Sequence, residues 1–379
     1  MSDRIYTTHV GSLPRPRPLL ELLRRRAQGE TVVAEALQTL LRESVRDVVA
    51  KQAAAGIDYV SDGELSKPSY ATYISDRLSG FGREWKGSSA ADLKAFPEFA
   101  QRLIEIGGVV PKAGGACCIG PVAPNDSRAL HDDLTNLRAA VDFVQPVGAF
   151  MNAASPGVVA VFQKNEFYSS EDAYIEAVAE ALRPEYEAIV AAGFGLQLDS
   201  PDLAMSRHLI YARLDEADFV KIVARNVAAL NHATRNIPAE HMRMHVCWGN
   251  YAGPHHFDIP LSRIASEVMR AKPGVLLLEA ANPRHAHEWS VFEELRIPDE
   301  KILCPGVIDS TSNYIEHPEL VAQRLIQYAS VVGRERVMAG SDCGFSTFSG
   351  FPTVYPDIVW KKMEAMVEGA RLASKVLWT

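Results

Sequence analysis

The chain alternates between short apolar runs and longer amphipathic stretches, a pattern in which strands and helices follow one another. The helical stretches are bounded by capping signals and are predicted at Thr31 to Ala55, Ser170 to Ala192, Asp215 to Thr234 and Pro318 to Val332. The first two end alike, since an Ala-rich stretch meets a glycine, Gly56 or Gly193, and a short strand then ends at an aspartate. Regular alternation of this kind is typical of α/β proteins.

Eight apolar runs along the chain are predicted as strands. They are Ile5–Val10, Tyr59–Asp62, Gly157–Phe162, Leu196–Asp199, Met242–Cys247, Val275–Glu279, Ile302–Ile308 and Arg336–Gly340. Strands that alternate with helices to this count predict a single (β/α)8 TIM barrel spanning residues 1–379. A doubly wound open sheet is the alternative, but no Gly-x-Gly-x-x-Gly motif follows the first strand, so a dinucleotide-binding fingerprint is not supported.

One long segment does not fit a minimal barrel. Residues from about 66 to 155 separate the second and third predicted strands and include the polar, Gly- and Lys-containing stretch from Gly80 to Gly87. We expect this insertion to form a small hairpin around Ala116–Pro121 and to lie near the barrel mouth. A long insertion is more often functional, as a lid, than neutral.

The composition of the chain limits which binding partners and which cellular compartment are expected. An apolar share of 47% and a charged share of 23% are ordinary for a globular enzyme, and a net charge of −8 disfavours nucleic acid or an anionic membrane as partner. The chain has neither a signal-peptide pattern nor 18 consecutive apolar residues, and its five cysteines fit a reducing compartment, so we expect a cytoplasmic protein. Homo-oligomerisation stays open.

Residues with metal-ligand chemistry follow three of the predicted strands. His245 and Cys247 point to the same face of one strand, and Glu279 and Cys343 lie where apolar runs give way to loops. Imidazole, thiolate and carboxylate in a set of four suit one tetrahedral Zn²⁺. Two thiolates and a carboxylate make the zinc a weak Lewis acid for water, so the set predicts activation of a bound thiol.

Carboxylates and histidines lie at other strand exits. Asp62, Glu64 or Asp199 alone could be a helix cap or a solvated turn residue, but together around one mouth they favour a cationic ligand group such as an α-amino group. For Asp309, a loop role and a site role are about equally supported. Four loop histidines are candidate general acids, although surface positions are commoner for such residues: His255, His256, His285 and His287.

These motifs, in this order, resemble the catalytic barrel of cobalamin-independent methionine synthase. The resemblance covers nearly the whole chain and rests on Thr7 to Pro16, Asp62-Gly63-Glu64, Leu196 to Asp199, His245-Val246-Cys247, Glu279 and Asp342-Cys343-Gly344. It implies a zinc held by His245, Cys247, Glu279 and Cys343. It also implies homocysteine contacts from Gly11, Ser12, Glu64 and Asp199, with Phe162 at the place of an aromatic residue that stacks on the folate pterin.

The catalytic segment after the seventh predicted strand departs from the family. Where the family has Asp-x-His-Ser-Pro, with the histidine as proton donor to the departing folate, this chain reads Asp309-Ser310-Thr311-Ser312. The resemblance places Asp309 and Thr311 at this catalytic position, yet a threonine hydroxyl cannot serve as that acid at neutral pH. The metal and thiol half of the reaction is thus retained in the sequence, whereas the methylfolate half is altered.

We therefore expect a zinc-dependent enzyme that transfers a methyl or alkyl group to a thiol such as homocysteine, with a small-molecule thiol and an alkyl donor as its partners. The alternative is a thiol transferase acting on a non-folate electrophile such as an epoxide, similar to epoxyalkane:coenzyme M transferase. A porphyrinogen decarboxylase-like barrel and a non-catalytic zinc-binding barrel are less supported.

Overall fold

The structure, a computed structural model, describes residues 3–105, 112–350 and 353–379. Its strands, in chain order, are β1 (Tyr59–Val60), β2 (Leu78–Ser89), β3 (Lys112–Pro124), β4 (Gly148–Ala154), β5 (Gly195–Asp199), β6 (Met242–Val246), β7 (Val275–Leu278), β8 (Ile302–Ile308) and β9 (Gly340–Ser341).

Seven of these strands form one parallel sheet in the order β1-β4-β5-β6-β7-β8-β9. Every residue of β6 is buried, as expected for a parallel sheet covered by helices. Neighbouring strands end level with one another, since Asp199 pairs with His245 across β5 and β6. The protein therefore has an α/β fold whose curled parallel sheet is of the TIM-like type, and side chains at the carboxyl ends of the strands meet at one edge.

The N-terminal segment lies between the two outer strands of this sheet. The backbone N–H of Thr8 donates to the carbonyl of Ala339, just before β9, at 2.8 Å. On its other side, the carbonyl of Thr7 accepts from the N–H of Tyr59 in β1 at 3.1 Å. The predicted first strand, Ile5–Val10, thus occupies the expected place, although regular pairing is limited to a bridge between Thr7 and Ala339.

Helices connect the strands and cover the sheet. They are α1 (Arg17–Ala27), α2 (Ala34–Ala54), α3 (Ile74–Arg77), α4 (Ala91–Ala95), α5 (Pro97–Glu105), α6 (Arg128–Val144), α7 (Pro156–Phe162), α8 (Glu171–Ala191), α9 (Ser206–Leu209), α10 (Glu216–Ala233), α11 (Leu261–Val268), α12 (Val291–Glu294), α13 (Pro318–Val332) and α14 (Pro356–Leu377). The four predicted helices are present as α2, α8, α10 and α13. None of the helices in the described part of the chain is both long and apolar enough to cross a membrane.

The third predicted strand was placed wrongly. Gly157–Phe162 lies in helix α7, and the strand of this unit is β4, which comes just before it. Ser155 caps α7 by accepting from the N–H of Val158, and Pro156 occupies the first helical position, where its missing N–H costs nothing. A short apolar run that is buried on all sides has no periodicity that would separate strand from helix.

The segment between β1 and β4 contains one long antiparallel hairpin, and Ala116–Pro121, where a small hairpin was expected, lies within its second strand, β3. β2 and β3 pair antiparallel, with Phe81 opposite Cys118 and Gly82 opposite Cys117. Helix α7 contacts this hairpin, because the indole N–H of Trp85 donates to the carbonyl of Phe162 at 2.9 Å. Since β4 begins at Gly148, the segment between the two strands ends earlier than the expected boundary near residue 155.

Candidate metal and substrate site

The strand ends surround one pocket that collects most of the predicted site residues. Seven of these residues line it: Ser12, Glu64, Phe162, Asp199, His245, Cys247 and Cys343. They come from the segment after the N-terminal strand, from the carboxyl ends of β5 and β6, from the loops after β1, β6 and β9, and from the end of α7. A pocket assembled from successive strand exits is the arrangement expected for an active site on a barrel of this type.

His245, Cys247 and Cys343 form a cluster with metal-ligand geometry. Their ligand atoms all lie within 4.8 Å of one another, and all three residues are buried. The Sγ atoms of Cys247 and Cys343 are 3.7 Å apart, too far for a disulfide. Two sulfurs bound to one tetrahedral zinc at about 2.3 Å would lie roughly 3.8 Å apart, so this separation fits a shared zinc.

The electrostatics of the two cysteines also favour a cation between them. The hydrogen bond with Cys343, followed by burial and the negative charges of Cys343 and Glu279, raises the pKa of Cys247 well above its ordinary value. The N–H of Gly249 donates to the Cys247 sulfur at 3.2 Å, the type of contact that stabilises a thiolate. A positive ion would be needed for the Cys247 sulfur to be a thiolate at neutral pH.

The imidazole of His245 has one ring nitrogen bonded to the backbone and one available as a metal ligand. Its Nε2 lies 3.0 Å from the backbone carbonyl of Asp342, which can only accept a hydrogen bond, so Nε2 carries the proton. Burial lowers the pKa of His245, which keeps the ring neutral. Nδ1 is therefore left with a free lone pair.

Glu279 lies beside this cluster but is not part of the three-residue group. One of its oxygens accepts from the N–H of Trp248 at 2.8 Å, and the other accepts from the Asn282 amide at 2.8 Å and from Arg284 at 2.9 Å. Although burial acts in the opposite direction, the Arg284 guanidinium helps to hold the pKa of Glu279 below its usual range. Glu279 is thus an ionised carboxylate, and the oxygen that accepts from Trp248 still has a lone pair to offer.

Two buried carboxylates, Glu64 and Asp199, also line the pocket and lie near each other. Burial, together with the charge of Asp199, raises the pKa of Glu64 to about 8. Asp199 accepts hydrogen bonds from the amides of Asn152 and Gln197, both at 2.9 Å, which fix its orientation. A bound cation would offset the repulsion between two such carboxylates.

Gly11 does not line the pocket itself but allows its walls to close. A Cβ atom at this position would lie 2.4 Å from the Asn152 amide and 2.6 Å from the Glu64 carboxylate. Its φ of 153° is also one that residues with side chains rarely adopt. Substrate contact by Gly11 stays a prediction. The packing shows that a residue with a side chain would clash with Asn152 and Glu64 at this position.

Asp309 and Thr311 are not among the residues that line the pocket. The Thr311 N–H and hydroxyl both donate to the same oxygen of Asp309 at 2.9 Å, and the Asp309 N–H donates to Glu316 at 2.7 Å. These contacts close a local turn after β8. Ser310, between the two, reaches a lining residue by donating to Asn250 at 2.9 Å.

None of the four loop histidines named as candidate acids lines the pocket. His255 and His285 are buried against Asp258, with ring nitrogens 3.0 and 3.2 Å from its carboxylate. His256 and His287 are exposed. The described lining residues include one histidine, His245, and it belongs to the metal cluster.

Several lining residues had not been predicted: Tyr70, Met205, Leu209, Asn250, Thr347 and Phe348. Asn250 joins the loop after β6 to the loop after β9, because its amide donates to the Gly344 carbonyl at 2.7 Å and to Thr347 at 2.6 Å. Tyr70 and Phe348 come from loops that carry no periodic signal. Their nearness in sequence to Glu64 and Cys343 is the signal that could have identified them.

A family model agrees with this arrangement of strands and ligands. The model of the cobalamin-independent synthase catalytic domain matches residues 152–371, more than half of the chain. The chain belongs to the cobalamin-independent synthase family. The match includes the His-x-Cys motif, Glu279 and the Asp-Cys-Gly motif.

Individual relatives extend the similarity to nearly the full chain. A methionine synthase of Thermococcus kodakarensis is 24% identical over 383 residues, covering 98% of this chain and 94% of the relative. One of Saccharolobus solfataricus is 24% identical, covering 98% and 95%. The structure of a B12-independent methionine synthase from Shewanella sp. W3-18-1 in complex with selenomethionine superposes with a TM-score of 0.72 at 20% identity, covering 99% of each chain. This likeness supports the fold of the cobalamin-independent synthases.

Proposed function

We propose that this protein is a zinc-dependent methyltransferase that transfers a methyl group to the thiol of homocysteine. The observation that carries the proposal is the 3.7 Å separation of the Cys247 and Cys343 sulfurs beside His245, which suits one zinc ion. Family membership and the methionine synthases among the relatives support the same reaction class. Glu279 is the proposed fourth ligand, adjacent to the cluster.

Each part of the pocket has a proposed task in this reaction. Zinc, when bound, lowers the pKa of the acceptor thiol so that it is a nucleophile at neutral pH. Glu64 and Asp199 bind the ammonium group of homocysteine, and Gly11 and Ser12 shape the pocket around its amino-acid end. Phe162 forms part of the wall against which the methyl donor lies.

The catalytic segment and the architecture complete the proposal. The hydrogen bonds between Asp309 and Thr311 fix the conformation of the loop after β8. Ser310, in the same loop, positions the lining residue Asn250 through its hydrogen bond. We count the N-terminal segment as the eighth strand of a (β/α)8 barrel, with the segment between β1 and β4 as an insertion near its mouth.

The other functional classes are less well supported by the pocket. A barrel that decarboxylates porphyrinogens needs cationic side chains for propionate groups, and the described lining contains neither lysine nor arginine. Transfer of a thiol to an epoxide is not favoured, because the relatives reported above are methionine synthases.

Metal analysis of cysteine variants tests the proposal. Wild-type protein should contain about one zinc per chain, and Cys247→Ser or Cys343→Ser should lose most of it together with methyl transfer to homocysteine, because serine is a poor zinc ligand. Cys304→Ser is the matched control, since Cys304 is equally buried but lies in β8 away from the cluster. Full zinc content and activity in both variants would show that the metal site has been assigned wrongly.

A further inference from the structure

Three aromatic rings form a corner of the pocket. The ring of Tyr70 packs against Phe162 with centroids 5.7 Å apart at an interplanar angle of 87°, and against Phe348 with centroids 6.0 Å apart at 66°. All three residues line the pocket that also contains Cys247 and Cys343. Proteins bind organic cations among aromatic rings that are inclined to one another in this way, because the faces of such rings are negative.

The ionisable side chains that the described lining contributes to this corner are acidic, and none of them is cationic. Glu64 and Asp199 contribute carboxylates to the lining, and the described lining residues include neither lysine nor arginine. Buried cations nearby are turned toward other groups. Lys67 donates to the carbonyl of Asn152 at 2.5 Å, and Arg15 donates to the backbone carbonyls of Glu64 and Lys67, each at 2.7 Å.

The described lining leaves no histidine or carboxylic acid free to protonate a departing amine, because Glu64 and Asp199 are assigned to the ammonium group of homocysteine. His245 belongs to the metal cluster, and the Thr311 hydroxyl, outside the lining, is bound to Asp309. A neutral amine leaving group needs a proton as its bond to the methyl carbon breaks. A sulfonium donor does not, because it departs as a neutral thioether.

We propose that the methyl donor is an organic cation of the sulfonium class, bound with its positive centre against the rings of Tyr70, Phe162 and Phe348. This inference rests on the proposed methyl transfer to homocysteine. The acceptor thiol gives up its proton to solvent, and its sulfur attacks the methyl carbon. A new carbon–sulfur bond forms as the bond to the sulfonium sulfur breaks, and the electron pair of the broken bond stays on that sulfur, which becomes uncharged.

The aromatic corner is expected to determine binding more than rate. The donor is cationic before the transfer and loses its charge during it, so the rings stabilise the bound donor more than the transition state. Removing a ring should therefore raise KM for a sulfonium donor, with a smaller effect on kcat.

The first experiment measures binding by calorimetry, using trimethylsulfonium and its uncharged product dimethyl sulfide as probes. Zinc-loaded wild-type protein should bind trimethylsulfonium at least roughly tenfold more tightly than dimethyl sulfide. Tyr70→Leu should abolish most of this preference, whereas Tyr70→Phe, which keeps the ring, should retain it. Phe96→Leu, which removes an exposed ring away from the pocket lining, is the matched control. Equal affinity of the wild-type protein for the two probes would overturn the proposal even if Tyr70→Leu failed to fold.

The second experiment measures methyl transfer to homocysteine from trimethylsulfonium and from methyltetrahydrofolate. Transfer should be faster from trimethylsulfonium, and Tyr70→Leu should raise KM for it about tenfold. Faster transfer from methyltetrahydrofolate would overturn the donor class but leave the proposed methyl transfer standing. Selective binding of trimethylsulfonium without transfer from either donor would instead contradict the proposed function, and the donor role with it.

Discussion

Glu64 combines an unusual backbone conformation with an unusual carboxyl group. Its φ of 55° lies in the left-handed region, which residues with side chains seldom occupy outside functional sites. Arg15 holds the Glu64 carbonyl at 2.7 Å, and Asp62 accepts from the Glu64 N–H at 2.9 Å. These neighbours hold the Glu64 backbone in its strained conformation, and burial together with the nearby charge of Asp199 raises the pKa of the carboxyl group to about 8.

The raised pKa of Glu64 should make stability depend on pH. Between its ordinary value of 4.5 and the value of about 8 in the fold, the folded protein keeps a proton that the unfolded chain releases. Stability should therefore fall as pH rises through this window and level off above it. Glu64→Gln should remove this contribution and gain stability relative to wild type by up to a few kcal/mol at pH 8.5, but not at pH 4.5.

Thermal unfolding at both pH values measures this effect. Glu98→Gln, a change at an exposed glutamate of α5, should leave the pH profile unchanged. A Glu64→Gln profile parallel to that of the wild type would mean that Glu64 does not titrate in this window.

Glu64 and Asp199 should also discriminate between acceptor thiols. Each charge-assisted hydrogen bond to an ammonium group is worth roughly 1.5–3 kcal/mol, so Glu64→Gln or Asp199→Asn should raise KM for homocysteine by about tenfold or more. The same variants should leave KM for 4-mercaptobutanoate, which lacks the amine, almost unchanged. An equal loss for both thiols would contradict the ammonium-binding role.

At the scale of single residues, the sequence predicted those whose role can be recognised from a short motif. His245, Cys247 and Cys343 were identifiable because the two motifs lie at strand exits and zinc ligands are chemically distinctive. Tyr70 and Phe348 were not, because an aromatic residue in a loop gives no indication of the surface it faces. The ion pair between Glu279 and Arg284, five residues further along the chain, was not predicted either, because no pattern in the sequence indicates it.

Among the elements, the end of β9 is tied to the loop after β7 by Asp342. One Asp342 oxygen accepts from the N–H groups of Ala280 and Ala281 at 2.8 and 2.7 Å. The other accepts from the backbone and side-chain N–H groups of Asn282 at 2.9 and 2.8 Å. Asp342 thereby positions Cys343 relative to Glu279.

Asp342→Asn should weaken both folding and metal binding. The amide NH₂ would face N–H donors, leave at least one of them unpaired, and lower the free energy of unfolding by about 1–3 kcal/mol. Urea unfolding and competition with a zinc chelator measure the two effects. Asp299→Asn, at a fully exposed aspartate, is the control. Unchanged zinc affinity would show that this tie is not needed to position the ligands.

The elements also show where sequence patterns fail. Helices α2, α8, α10 and α13 were predictable because one face of each is polar, and α8, α10 and α13 also begin at residues whose side chains cap the helix. Helix α7 is buried nearly throughout, so its polarity does not differ from that of a central strand. Ser155, which caps α7, was the signal for a helix, but the apolar pattern led to the prediction of a strand.

For the molecule as a whole, Asp58 fixes the N-terminal segment between the outer strands. Its Oδ2 accepts from the N–H of Thr7 at 2.8 Å and from the Thr7 hydroxyl at 3.0 Å. Asp58→Ala should leave this buried N–H unpaired and cost about 1–3 kcal/mol of stability. Hydrogen exchange at the amides of Thr8 and Ala339 should become faster.

Asp47→Ala, at an exposed position in α2, should change neither stability nor exchange. Unaltered exchange at Thr8 in the Asp58 variant would mean that packing alone holds the segment in place.

The position of this segment also sets a condition on how the protein is made. Thr8 is synthesised 331 residues before its partner Ala339. At roughly 5–20 residues per second, the interval is on the order of 15–70 seconds. During that time the apolar side chains of Ile5 and Leu13, buried in the finished fold, have no completed sheet to pack into. The nascent chain must therefore keep its first strand from pairing elsewhere until its last strand has emerged.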